Sequence, residues 1–64
     1  MVQSPPAQDE YVIIEYSVKG QYVKVSAIDA LTHEEVSIVG DARYSKEYLA
    51  RQAIKKLRLM QSKR

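Results

Sequence analysis

Few side chains in this sequence are equipped for chemistry. The single histidine, His33, and the hydroxyls Ser26 and Ser37 are the parts of a nucleophile–base pair, in which an imidazole takes the proton of an attacking hydroxyl. The strand pattern derived below puts both serines on the outer face of a sheet and His33 at the far end of their hairpin. The pair is therefore not expected to meet. The adjacent carboxylates Glu34 and Glu35 alternate across a strand, so they point apart and do not converge as a general acid–base dyad must. There is no cysteine, and one histidine among scattered acids is a poor donor set for a transition metal. Gly20 and Gly40 are the only glycines, which excludes a glycine-rich phosphate loop. The expectation is a non-enzymatic protein with no metal and no cofactor.

Charge is the other chemical signal. Residues 1–50 hold all eight acids against four bases, a net of −4, whereas residues 51–64 hold six bases and no acid, a net of +6. Such a step can form a phosphate-binding patch. Arg51, Lys55 and Arg58 are expected on the solvent side of a C-terminal helix, flanked by Lys56, Lys63 and Arg64. A row of this kind gives affinity for nucleic acid without base specificity. It also reads as a solvated helix face whose positive charge lies favourably near the helix C-terminus.

Hydrophobic periodicity supplies the elements that would carry these groups. From Tyr11 to Val18 the even positions Val12, Ile14, Tyr16 and Val18 are all apolar, the period-two signature of a strand with one core face. Lys19-Gly20 reads as a two-residue turn. That turn sets Val18 opposite Gln21, Tyr16 opposite Val23, Ile14 opposite Val25 and Val12 opposite Ala27, with Glu15 facing Lys24 on the other side. A third strand, about Glu34 to Val39, follows the loop Ala30-Leu31-Thr32-His33 and pairs Ala27 with Val36 and Val25 with Ile38. Asp29 can accept backbone N–H groups at the loop entrance, and His33 suits a left-handed position at its end.

Ser45 is a good N-cap, Glu47 an acid in the first turn, and Tyr44 with Leu49 has the spacing of a hydrophobic staple. Leu49, Ala50, Ala53, Ile54, Leu57 and Met60 form one apolar stripe of a helix. The expected fold is α+β: a three-stranded antiparallel meander of order 1-2-3 with one C-terminal helix packed on one face, β-β-β-α.

Sixty-four residues make one domain, and a chain this short buries only about 60% of the surface it exposes when unfolded. Its expected organisation is a disordered lead-in over 1–10, where Pro5 and Pro6 stand among polar residues, a domain over 11–60, and a frayed basic tail over 61–64. The opening MVQSPPAQDE lacks the basic flank and apolar core of a signal peptide, and the longest apolar run, Val12-Ile13-Ile14, is too short to span a bilayer. The expected location is the cytoplasm, with no membrane partner. So thin a core leaves little room for a small-molecule pocket.

The outer sheet face is more apolar than solvent requires, through Tyr11, Ile13, Ile28 and Val39, and the first strand is a long edge. These features make a protein-interaction or self-association module the leading functional expectation, with a homodimer or another protein as partner. Phosphate-directed nucleic-acid binding through the basic helix is the alternative.

Three phrases together resemble a small uncharacterised family of alphaproteobacterial proteins: Gly20 to Asp29, Glu35 to Asp41, and Ala53 to Leu57. The resemblance implies no known activity and transfers no functional residue. Members of that family tend to carry glycine where this chain has His33, in keeping with a left-handed loop position. A narrower likeness, from Ser45-Lys46-Glu47-Tyr48 into Ile54-Lys55-Lys56-Leu57, is to the last helix of double-stranded-RNA-binding domains, although the N-terminal helix of that family has no counterpart here.

Overall fold

The computed structural model describes residues 11–63; the lead-in over 1–10 and Arg64 lie outside the described residues. Three strands, β1 (Val12–Lys19), β2 (Tyr22–Asp29) and β3 (Glu35–Asp41), form an antiparallel sheet in the order β1-β2-β3, and α1 (Lys46–Ser62) packs on one face. The β-β-β-α meander read from the periodicity is the fold. Among the described residues no helix is long and apolar enough to cross a membrane.

The first hairpin corrects the expected register by two residues. Val18 pairs with Val23, Tyr16 with Val25 and Ile14 with Ala27, and the turn residues are Gly20-Gln21 rather than Lys19-Gly20. Glu15 consequently faces Ser26, and Lys24 faces Ser17. The reason lies in the backbone. Gly20 has φ 62°, and Gln21 is not among the residues with positive φ, the pattern of a turn that needs glycine only at its first central position. Centring the turn on Lys19-Gly20 would force Lys19 into the left-handed region or splay the strands. A two-residue shift preserves side-chain alternation, so the apolar faces still coincide.

The second hairpin has the expected register, with Ala27 opposite Val36 and Val25 opposite Ile38. His33 holds φ 69° at the loop end. β3 runs past Val39, because Gly40 and Asp41 pair with Val23 and Tyr22.

Val23, Val25, Ala27 and Val36 of the sheet are buried against Leu49, Ala53 and Leu57 of the helix. Ser45 caps the helix: its Oγ accepts the Tyr48 N–H at 3.1 Å. Tyr44 places its ring 5.2 Å from that of Tyr48, while Leu49 enters the core. There Leu49 lies against Gly40 so closely that a Cβ at position 40 would stand 2.5 Å from Leu49 Cδ2. Glycine in this strand marks a close approach of backbone and side chain.

The far end of the helix is tied to the β2–β3 loop. Asp29, buried at the end of β2, accepts the Leu31 and Thr32 N–H groups on Oδ1, at 2.9 and 3.1 Å. Its Oδ2 accepts Arg58 Nη1 and Gln61 Nε2, each at 2.9 Å. Gln61 Nε2 also donates to Glu34 Oε1 at 2.8 Å, and Gln61 Oε1 accepts Arg58 Nη1 at 2.7 Å, which fixes the amide orientation. Two expectations change here. Arg58 leaves the solvent row and is half-buried, because its long arm reaches a carboxylate that needs a cation. Gln61 does not begin a frayed tail, because both of its amide hydrogens are bound and the helix continues through Ser62. Met60 projects onto the apolar stripe yet stays exposed.

The hydrogen bond from Gln61, then those from Leu31, Arg58 and Thr32, hold the Asp29 carboxyl well below the usual carboxylate range. A carboxyl depressed in the folded state stabilises fully above its unfolded pKa, about 3.9, and loses that contribution as pH falls below it. The midpoint of urea unfolding should therefore hold from neutrality down to about pH 4 and drop below it. Asp29→Asn should lower the plateau and flatten the acid limb, since its amide would present N–H groups to Arg58 and Gln61. An unchanged acid slope would show that Asp29 does not tie the helix down. Gly40→Ala should cost about 1–3 kcal/mol through overpacking against Leu49, outweighing the gain from a stiffer backbone. The cost should shrink in a Leu49→Ala background, as a double-mutant cycle by denaturant melts would register.

Candidate interaction surface

The two edges of the sheet differ. Tyr11 O accepts the Ala30 N–H at 2.6 Å, so odd-numbered residues of β1 direct their backbone groups to β2. The even-numbered residues, Val12, Ile14, Tyr16 and Val18, direct theirs outward. On the opposite side Ala42 N–H donates to Gln21 O at 2.9 Å, so β3 directs its odd-numbered groups outward. Two of those outward carbonyls are covered. Lys56 Nζ donates to Ser37 O at 2.8 Å, and Tyr44 N–H donates to Asp41 O at 3.0 Å. Among the described residues no such hydrogen bond covers the outward groups of β1.

The side chains of β1 repeat this asymmetry. The helix lies across β2 and β3. Val12 and Ile14 are half-buried, but Tyr16 keeps 39% of its surface exposed and Val18 65%, although both point to the helix-bearing face. Tyr16 is held in place: its hydroxyl donates to Lys46 O at 3.2 Å, and Lys46 Nζ lies 5.4 Å from its ring centroid. The exposed end of β1 is thus a fixed apolar flank beside an open backbone edge.

The structure does not gather the four outer-face residues into one patch. Ile13 stands opposite Ile28, with exposed Tyr11 just before β1. Val39 stands opposite Lys24, closer to the other end of the sheet. Glu15, Ser26 and Ser37 form the row between, where the two serine hydroxyls bond at 2.9 Å. Alternation marked these residues as outward, but only the register shows that a polar band divides them.

The basic residues are dispersed as well. Arg58 is bound to Asp29, and Lys56 extends to the β3 edge. Arg51, Lys55 and Lys63 are exposed, and Arg64 lies outside the described residues. His33 is exposed on its loop, and among the described residues no group of three or more His, Cys, Asp or Glu side chains could hold a metal ion. Among the described residues, open concavities lie at the first hairpin's tip (Gly20, Gln21, Asp41, Ala42, Arg43) and on the outer sheet face around Glu15, Lys24 and Ser26.

The sequence reading missed the roles of Lys56 and of the Asp29–Arg58 pair. A signal for the second existed: an acid at a core-facing position of a strand demands a partner, since a buried charge left alone is costly.

Neither a curated protein nor a solved structure matches this chain. A family model does match, over residues 9–64, and it covers every element described above. The chain belongs to the family described as a domain of unknown function, DUF6898.

Proposed function

We propose that this protein is a non-enzymatic interaction module of the cytoplasm that engages a protein partner by strand addition to β1. One observation carries the reading: the β3 edge is guarded at two of its outward carbonyls, by Lys56 and by the Asp41–Tyr44 turn, whereas the β1 edge has no such guard and is flanked by exposed Tyr16 and Val18. Natural sheets guard their edges with lysines and covering loops because an open edge recruits another strand. Here one edge has those guards. Strand addition draws affinity from main-chain hydrogen bonds and selectivity from alternate side chains, which on β1 are the apolar even positions.

Nucleic-acid binding rests on Arg51 and Lys55 with Lys63. With Arg58 bound to Asp29 and Lys56 bonded to the β3 edge, this is a smaller cation set than the sequence suggests, and its affinity would fall only gently with salt.

The test is retention by the tagged full chain in an alphaproteobacterial host, the class to which the family resemblance points. Val18→Pro leaves the β1–β2 ladder intact, because the Val18 N–H points away from β2. Circular dichroism should confirm that this variant is folded. Proteins held by the wild type, its own untagged copies included, should be lost from Val18→Pro and kept by Arg51→Ala/Lys55→Ala. Equal retention by both variants overturns the strand-addition reading. Nuclease-sensitive retention lost only from the Arg51/Lys55 variant would replace it with nucleic-acid binding.

A further inference from the structure

We infer that the strand added to β1 is the β1 of a second copy of this chain, antiparallel, with Ser17 on the two-fold axis. The inference rests on the strand-addition reading and names its partner.

The backbone restricts the registers. The outward groups of β1 belong to Val12, Ile14, Tyr16 and Val18, so an antiparallel copy must set even residues opposite even residues. A one-residue slip would mismatch the hydrogen-bonding groups and turn the apolar side chains to the wrong face.

Charge selects among the registers that remain. β1 carries one acid, Glu15, and one base, Lys19, both on the outer face and four residues apart. Centring the axis on Ser17 puts Glu15 opposite the partner's Lys19, and the symmetry repeats the pair. The same register puts Tyr16 opposite the partner's Val18, and again the reverse. These are the two most exposed apolar residues on the helix-bearing face of β1. The neighbouring registers do less. Centring on Tyr16 faces Glu15 with Ser17 and Lys19 with Ile13. Centring on Glu15 sets two carboxylates against each other, and centring on Val18 leaves Glu15 beyond any cation. Opposite charges directly across a ladder are favourable and like charges unfavourable, so one register satisfies the backbone, the apolar flank and the charges together.

The product is a six-stranded antiparallel sheet in which the turn-proximal halves of the two β1 edges, Glu15 to Lys19, cover each other, while Val12 and Ile14 extend past the partner's turn. The β3 edges, with their lysine and turn, become its outer borders. Both helices lie on the same face, because a two-fold axis perpendicular to the sheet relates the copies.

Light scattering after size exclusion should show the mass rising with concentration from 7.3 kDa toward twice that value. Glu15→Lys should weaken association by roughly tenfold, since two symmetric pairs turn repulsive, and Glu15→Lys/Lys19→Glu should restore it. Ile13→Lys, away from both pairs, should leave it unchanged. Ser17→Cys supplies a sole thiol for register. Residues opposite each other in a non-hydrogen-bonded pair have Cα atoms about 4.5 Å apart, within disulfide range. Oxidation should therefore link Ser17→Cys faster than the exposed helix variant Gln52→Cys.

A mass of 7.3 kDa at every concentration overturns self-pairing. If Val18→Pro still abolishes retention in the host, strand addition survives with a different protein as its occupant. If retention is indifferent to Val18→Pro, both fail. A dimer that ignores the charge swap, or in which Ser17→Cys links no faster than Gln52→Cys, overturns the register. A dimer weakened by Ile13→Lys alone would assign the contact to the outer face instead.

Discussion

A buried carboxylate governs this small fold. Asp29 occupies a core-facing position of β2, where an unsatisfied charge would be intolerable, and its oxygens are met by two loop amides, a guanidinium and a side-chain amide. Those four bonds fix three things at once. They shape the β2–β3 loop, set how far the helix must run to bring Arg58 and Gln61 into reach, and choose which flank of the helix turns toward the sheet. At the other end Leu49 is lodged against Gly40. Between these anchors the core is thin, with seven buried apolar residues among the described ones, of which two are alanines. Polar order at one end therefore matters more here than in a domain with a deeper interior.

The parts of this arrangement legible in the sequence are those encoded by local pattern. Alternating apolar residues specify the strands and their faces, Ser45 specifies the helix start, and Ala30 to His33 specify the second loop. The first hairpin was legible in its faces but not in its register, because two turn placements differing by two residues preserve the same alternation. Only the φ demanded of Lys19 separates them. The helix projection misplaced Arg58 because periodicity treats every charged side chain as solvent-facing, and its partner lies 29 residues away. The same limit applied to the surface. Tyr11, Ile13, Ile28 and Val39 share a face by parity, but their division by Glu15, Ser26 and Ser37 depends on pairing across three strands.

The helix settles which part of the surface is left over. Lying across β2 and β3, it covers the centre of the sheet and sends Lys56 to the β3 edge, and the same placement leaves the turn-proximal end of β1 uncovered. The guarded edge and the open one are thus two results of one packing choice. The interaction edge proposed for β1 needs no pocket or special residue. It follows from a helix too narrow to cover three strands.

The long reach of the Asp29–Arg58 bond also bears on kinetics. Both strand pairings join neighbours in sequence and close short loops, so hairpin formation carries little entropic cost and proceeds quickly. The tie from Asp29 to Arg58 spans 29 residues and requires the helix to be docked already. A contact of this kind is expected to form on the native side of the folding barrier. Interactions formed after the barrier leave the folding rate nearly unchanged and slow escape from the native state. On that expectation the carboxylate sets how long the folded chain persists, while the two hairpins set how soon it appears.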